Sequence, residues 1–518
     1  MKHFAALALL ALAAPALADP PAGFDARVEA LRQAAGVPGM AIAIVENGRV
    51  TLAKGYGVRR LGSPVKVDAD TIFMTGSTGK AITTAALATL VDAGKLSWDD
   101  RVEDRLPGFQ MYDPWVTREM TVRDLLTHRS GLGLGEGDLM IAPRGSLTRA
   151  EVVRRLRFLK PATSFRSGYA YDNVLYVAAG RLIEAVSGQS YEDYVREHVF
   201  RPAGMKTATS DAAHRLATAD RAQPHARLGA VRGLGEQQVI DERDELNPAS
   251  TSAGLLALSA NDLARWLQIQ LAHGAIPGGG RLFSEAQSAE MWKPETIEPI
   301  APAPPELAGT QPTFQDYAFG WEVRDYRGAR IVWHAGGVFG YTTVVVMIPD
   351  RNVGFAITQN SEDAPTRMGL MYELIDHYLG LPQQDWPARY AGYVHRRLTA
   401  AAATVAERTA APARVGPSLP LARYAGAYED PWYGKVVIGQ DAQGLTVNFT
   451  NTPRMTGRLT HYQYDSFIAR FDDPGIEPAY VTFQLDAEGK VARATLKPVS
   501  PTADFSFDYQ DLLLTPVP

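Results

Sequence analysis

Phe73-Met74-Thr75-Gly76-Ser77-Thr78-Gly79-Lys80 reads as a short apolar strand, a tight turn and the start of a helix. An alanine-rich run over residues 81–93 continues the helix, and Gly94 offers its cap. Ser77 and Lys80 are three apart, so on a helical turn they share a face. A serine hydroxyl is a poor nucleophile until a base takes its proton. A lysine is that base only when neutral. The positive end of the helix dipole, burial, and hydrogen bonds to a free amine all favour neutrality here. Lowering a lysine by three pKa units takes about 4 kcal/mol of differential interaction, so such a site has to be built. A second Ser-x-x-Lys, Ser63-Pro64-Val65-Lys66, lies in a turn with no helix after it and is set aside.

Two more stretches bear on the chemistry. Tyr169-Ala170-Tyr171-Asp172-Asn173 precedes a helical run, and Tyr171 and Asn173, two apart in extended chain, point to one side. Trp333-His334-Ala335-Gly336-Gly337 ends a strand, where glycines let backbone N–H groups approach a ligand. Around these lie strands at both ends and helices between. Residues 39–56 alternate as a strand pair about Asn47-Gly48. Residues 121–128, 174–199 and 255–273 read as helices, 331–335 and 342–348 as strands, and 367–379 as a closing helix. The pattern predicts an α+β domain whose N- and C-terminal strands share one antiparallel sheet, flanked by helices and a helical subdomain. Residues 398–420, rich in Ala and Pro, read as a linker. From 421 to 518 the chain changes to short alternating runs (434–438, 445–449, 466–471, 480–485, 491–496) broken by turns, which predicts a small all-β barrel.

The three elements occur in the order and spacing of the serine β-lactamase and penicillin-binding protein superfamily, and the chain resembles its class C-like esterase, carboxypeptidase and D-aminopeptidase branch. The matching motifs are Ser77/Lys80, Tyr171/Asn173 and His334/Gly336. The segments Leu125-Leu126-Thr127-His128-Arg129-Ser130-Gly131-Leu132, Gly254-Leu255-Leu256 and Ala318-Phe319-Gly320-Trp321 are also family-like, over about residues 25–380. The tail opening at Tyr424-Ala425-Gly426-Ala427-Tyr428 resembles the lipocalin-like domain that some members carry. The resemblance implies acyl transfer. Ser77 would attack a carbonyl, Lys80 and Tyr171 would share acid and base work, and Asn173 would hold the amine and the substrate amide. His334 and Gly336 would line the substrate site, and the N–H groups of Ser77 and Gly337 would form the oxyanion hole. A lysine is usual where His334 stands. A neutral imidazole gives a substrate carboxylate no permanent charge, which ranks ester or peptide hydrolysis above penicillin hydrolysis. His128 reads as structural. A loop near Tyr433 is the candidate for reaching from the barrel to the cleft. The alternative function is a catalytically weak penicillin-binding or cell-wall-fragment-sensing protein of the same fold.

Composition narrows the rest. The 518 residues carry 52 Lys plus Arg against 57 Asp plus Glu, a net charge of −5 without basic blocks, so nucleic acid is not an expected partner. There are no cysteines, which excludes disulfides, iron–sulfur clusters and a Cys nucleophile. The 10 histidines are scattered without a His-Glu-x-x-His, so no metal or other cofactor is expected. An α/β-hydrolase elbow, Gly-x-Ser-x-Gly, is missing, because Thr75 stands where its first Gly belongs. Lys2, an apolar run from 4 to 14 and Ala16-Leu17-Ala18 read as a cleavable leader over 1–18, with export to the periplasm or beyond. No later run reaches the ~20 apolar residues of a membrane span. The expected partner is a small-molecule or peptide substrate.

Overall fold

Asn47 and Gly48 take φ of 50° and 76°, the left-handed pair that a two-residue hairpin turn needs. They join β1 (Gly39–Glu46) to β2 (Arg49–Gly57) where the sequence predicts a hairpin. The computed structural model describes residues 20–242, 247–410 and 415–517; the leader expected over 1–18 lies outside them. Six later strands complete the sheet: β3 (Thr296–Ile297), β4 (Gln315–Tyr317), β5 (Glu322–Tyr326), β6 (Ala329–Val338), β7 (Tyr341–Ile348) and β8 (Val353–Gln359). The order across it is β2-β1-β8-β7-β6-β5-β4-β3, with every neighbour antiparallel. The first strand therefore pairs with the last, Ile42 opposite Ile357.

All eight residues of β1 are buried, because both faces of the sheet are covered. Met40, Ile42 and Ile44 face a core shared with α1 (Phe24–Ala35) and α5 (Ala364–Leu379). Ala41, Ala43 and Val45 face the other core, where their small side chains admit α4 (Ala260–Leu271). Beyond α4 on that face lies the helical subdomain. Its axis is α2 (Lys80–Asp92), in which nearly every residue is buried, packed against α3 (Val174–Ser187). A helix apolar on all sides needs such full enclosure.

Several expected helices are subdivided. The run 174–199 stops at Ser187, where Gly188 turns to φ 74° and Ser190 caps a separate helix, Tyr191–Val195. The run 121–128 is a single 3₁₀ turn, Arg123–Leu126, closed by His128 at φ 53°. The run from 255 becomes helical only at Ala260, where Ser259 and Asp262 form a reciprocal cap. Ahead of it, Ala257–Leu258 pairs with Phe73–Met74. The linker reading also needs correction: residues 386–410 form one helix, α6 (Trp386–Ala410). The four alanines 400–403 are strong helix formers, and after Pro387 the next proline is Pro412.

The C-terminal strands close into an eight-stranded antiparallel barrel: β9 (Gly426–Asp430), β10 (Gly434–Asp441), β11 (Gly444–Phe449), β12 (Thr456–Gln463), β13 (Ser466–Phe471), β14 (Ala479–Leu485), β15 (Val491–Pro498) and β16 (Leu513–Pro516). The pairing of Tyr428 with Pro516 shuts the ring and leaves no sheet edge exposed. Val436, Val447, Phe449, Phe467, Val481, Phe483 and Tyr424 are buried within it, as eight strands allow. Among the described residues no helix is long and apolar enough to cross a membrane.

Candidate active site

The Phe73–Met74 bridge to Ala257–Leu258 ends at Thr75, whose N–H donates to the Leu256 carbonyl at 2.9 Å. The chain then makes one 3₁₀ turn, Gly76–Gly79, and enters α2 without a break. Gly76 sits at φ 57°, and a Cβ there would come within 2.6 Å of the Gly337 nitrogen. A Cβ on Gly336 would run into the Thr75 carbonyl oxygen. The glycines thus let the serine turn press directly against β6. The N–H groups of Ser77 and Gly337 lie on the two backbones that meet there.

Lys80 is fully buried. Its Nζ lies 3.1 Å from Ser77 Oγ, 2.7 Å from Asn173 Oδ1 and 2.8 Å from the Ala253 carbonyl oxygen. Two of these partners, an amide oxygen and a peptide carbonyl, can only accept. A neutral amine satisfies both with its two N–H groups and keeps its lone pair for the Ser77 hydroxyl. Burial pushes the Lys80 pKa down to about 7, against the pull of Asp138 and Asp172. The rings of Tyr171 and Tyr176 lie 4.7 and 5.1 Å from Nζ.

Tyr171 is held from below. Its ring packs at a tilt, 4.1 Å between centroids, on His128, which also meets Tyr317 at 4.3 Å. His128 Nδ1 accepts the Asp172 N–H at 3.1 Å, and Ser130 donates to the Asp172 carboxylate at 2.9 Å. The family-like segment thereby holds the extended stretch that carries Tyr171 and Asn173, and His128 acts there as a packing and hydrogen-bonding support. The Tyr171 hydroxyl is buried without an aligned partner. Burial drives its pKa well above the usual phenol value, opposed by the Ser77 hydroxyl beside it. Of the two groups next to Ser77, the amine is the one that sheds its proton near neutrality.

His334 is buried on β6, its ring 6.3 Å from that of Tyr171. Nδ1 is 2.6 Å from the Ala335 carbonyl oxygen, so it carries the proton, and Nε2 accepts from the Tyr317 hydroxyl at 2.9 Å. Burial, reinforced by Lys80, holds its pKa down at about 3. The imidazole is neutral and offers no charge to a substrate carboxylate.

All seven residues singled out from sequence thus meet in one place: Ser77, Lys80, Tyr171, Asn173, His334, Gly336 and Gly337. Other groups join them that no sequence motif marks. Tyr176, Tyr317 and the Ala253 carbonyl complete the enclosure. Asp138 accepts from Asn173 Nδ2 at 2.8 Å; the glycine-rich run 131–137 just before it was the available signal. The reach from the barrel also differs from expectation. Tyr433 is buried within the barrel, its hydroxyl 2.9 Å from that of Thr452. The segment that arrives at the cleft is 504–508. Phe505 lies 5.9 Å from the Tyr171 ring and stays 39% exposed, while Ser506 donates to Asp138 at 2.8 Å.

An antiparallel sheet with a helical subdomain, and a Ser–Lys pair where the two meet, defines the β-lactamase-like serine hydrolases as a class. The chain belongs to the Beta-lactamase family, whose model matches residues 24–380, and it is a serine hydrolase. Residues 410–516 match a second family described as a domain of unknown function (DUF3471). The chain is 30% identical over 445 residues to the unguisins hydrolase ungD of Aspergillus violaceofuscus (strain CBS 115571), covering 80% of this chain and 76% of that one. It is 30% identical over 349 residues to penicillin-binding protein 4 of Amycolatopsis lactamdurans, covering 65% of this chain and 85% of that one. Among solved structures, the octameric penicillin-binding protein homologue from Pyrococcus abyssi superposes with a TM-score of 0.58 at 21% identity, over 95% of this chain and 98% of that one, a likeness of fold.

Proposed function

We propose that the protein hydrolyses amide or ester bonds of peptide-like substrates through an acyl-enzyme on Ser77. The observation that carries this reading is the buried Lys80 amine, 3.1 Å from Ser77 Oγ and with its two other hydrogen-bond partners able only to accept. Lys80 takes the Ser77 proton as Oγ attacks the carbonyl. The N–H groups of Ser77 and Gly337 receive the developing oxyanion, each such donor being worth about 2.7–4 kcal/mol in the transition state. Tyr171, a neutral phenol beside Oγ, passes the proton to the leaving group. Water then releases the acid by the same route in reverse. The preferred substrates are short peptides, D-amino-acid amides or short-chain esters, and penicillins are turned over weakly because His334 is uncharged. The names of the Aspergillus and Amycolatopsis relatives fit a hydrolase of this kind. A leader over 1–18 directs it to the periplasm or outside.

Labelling with a fluorophosphonate or penicillin probe, followed by peptide mapping, tests the assignment. The label is expected on Ser77 and is expected to vanish in Ser77→Ala while the circular dichroism stays unchanged. Undiminished turnover in Ser77→Ala overturns the mechanism. Parallel assays on D-alanine amides, nitrophenyl esters and benzylpenicillin rank the substrates, and penicillin turnover rivalling the esters contradicts the role given to His334.

A further inference from the structure

A chain of hydrogen bonds leads away from the Lys80 amine and ends in the other domain. Lys80 Nζ donates to Asn173 Oδ1 at 2.7 Å, and Asn173 Nδ2 donates to Asp138 Oδ2 at 2.8 Å. The same Oδ2 accepts from Ser506 Oγ of the barrel at 2.8 Å. Two residues further on, the Asp508 carboxylate accepts the N–H groups of Gly137 at 2.6 Å and Leu139 at 2.9 Å, the residues that flank Asp138. Asp138 and Asp508 are both fully buried. A primary amide has two ends, and Asn173 presents its oxygen to Lys80 only while its nitrogen has an acceptor on the other side. Asp138 is that acceptor.

We propose that Asp138 is a positioning residue for the Lys80–Asn173 pair, and that the barrel segment 504–508, by holding Asp138 through Ser506 and its flanks through Asp508, is a working part of the active site. The proposal rests on the hydrolase reading above and deepens it: the C-terminal domain sets the orientation of Asn173 and the charge balance around the base. Lys80 is faced by Tyr171 and Tyr176, by Asp172 and His128, by His334, and by Asp138. Asp138 is faced in turn by Asp504 and Asp508, and Asp508 by Asp511. Burial raises the Asp138 pKa to about 7, opposed by the bonds from Asn173 and Ser506 and by Lys80, and raises that of Asp508 well above the carboxylate range. The Asp138 negative charge favours the protonated amine, so removing it moves the loss of the Lys80 proton to lower pH.

The test compares the full-length wild type with Asp138→Ala, Asp138→Asn and Ser506→Ala. It measures kcat and KM on a nitrophenyl ester, and the rate of fluorophosphonate labelling of Ser77 from pH 5 to 9. Asp138→Ala is expected to lower kcat and the labelling rate about 10–100-fold with KM changed less than about 2-fold. Asp138→Asn, which keeps an acceptor for Asn173 without the charge, is expected to restore most of the rate and to shift the acidic limb down by ~1 pH unit. Ser506→Ala is expected to act in the same direction as the loss of charge, with a smaller drop in rate of about 2–5-fold. A rise in KM alone in Asp138→Ala overturns the proposal, because it places Asp138 against the substrate. So do wild-type rates and limb in Asp138→Asn and Ser506→Ala, the two variants that decide the question if Asp138→Ala fails to fold. Absence of labelling in the wild type overturns the hydrolase reading and this inference together. A labelled wild type with unaltered variants overturns this inference alone.

Discussion

Lys80 and Phe483 are about equally hidden from water, at 0% and 3% exposure, yet burial does opposite things at the two places. In the barrel, Phe483 lies among Tyr424, Tyr428 and Phe467 at ring separations of 5.0–5.8 Å, and its enclosure is a direct gain in stability. In the β-lactamase-like domain, burial strips water from an amine and lowers its proton affinity, which costs stability and, in the mechanism proposed above, supplies the base. One region converts exclusion of water into folding energy, the other into reactivity. A pocket of this kind therefore needs a well-packed scaffold around it.

Substitutions at the two places sharpen the contrast. Lys80→Met replaces the amine with an apolar chain of similar length. It is expected to cut turnover by about 10²–10⁴-fold, the usual share of a general base, while raising Tm. A lowered Tm would show that the Lys80 hydrogen bonds outweigh its desolvation. Phe483→Ala is expected to destabilise by about 3–5 kcal/mol in denaturant titration, with Ser77 labelling of the folded fraction retained. The pH dependence has a definite sign. Lys80 has a pKa of about 7 in the folded protein and about 10.4 when unfolded, so the unfolded chain binds the extra proton between these values. The Lys80 penalty is thus full below pH 7 and relieved as pH rises towards 10.4. The Tm advantage of Lys80→Met should shrink across that window, and wild-type acylation should rise through about pH 7. A constant Tm difference from pH 6 to 10 would contradict the lowered proton affinity. The smallest effect is expected at the seam between the domains. Arg155 donates to the carbonyl oxygens of Trp432 at 2.8 Å and Tyr433 at 2.5 Å, and Arg155→Ala should cost about 1–3 kcal/mol by scanning calorimetry.

What could be read in the sequence follows the range of the interactions. Ser77 and Lys80 are neighbours on one turn, and Tyr171 and Asn173 on one extended stretch, so local spacing already puts each pair together. Asn47-Gly48 announces its hairpin for the same reason. Asp138 bonds Asn173 from 35 residues away and Ser506 from 368 residues away. No periodicity links such positions, and both types are common on surfaces. The helix 386–410 is hidden for a different reason. Its alanines run on into the prolines that follow, and composition alone does not say where one tendency gives way to the other. The halt at Ser187 was visible in Gly188 and Ser190, a stop signal and a start signal side by side, but the apolar period runs across them.

The pairing of Ile42 with Ile357 bears on how the chain is made. β1, next to the edge strand of the sheet, emerges from the ribosome early and then waits for roughly three hundred further residues before its second neighbour, β8, exists. Until then β1, apolar from Met40 to Val45, has only β2 beside it and leaves one long edge open, a template for pairing with other chains. A chain cut short before residue 353 keeps that edge unpaired, which raises its tendency to aggregate.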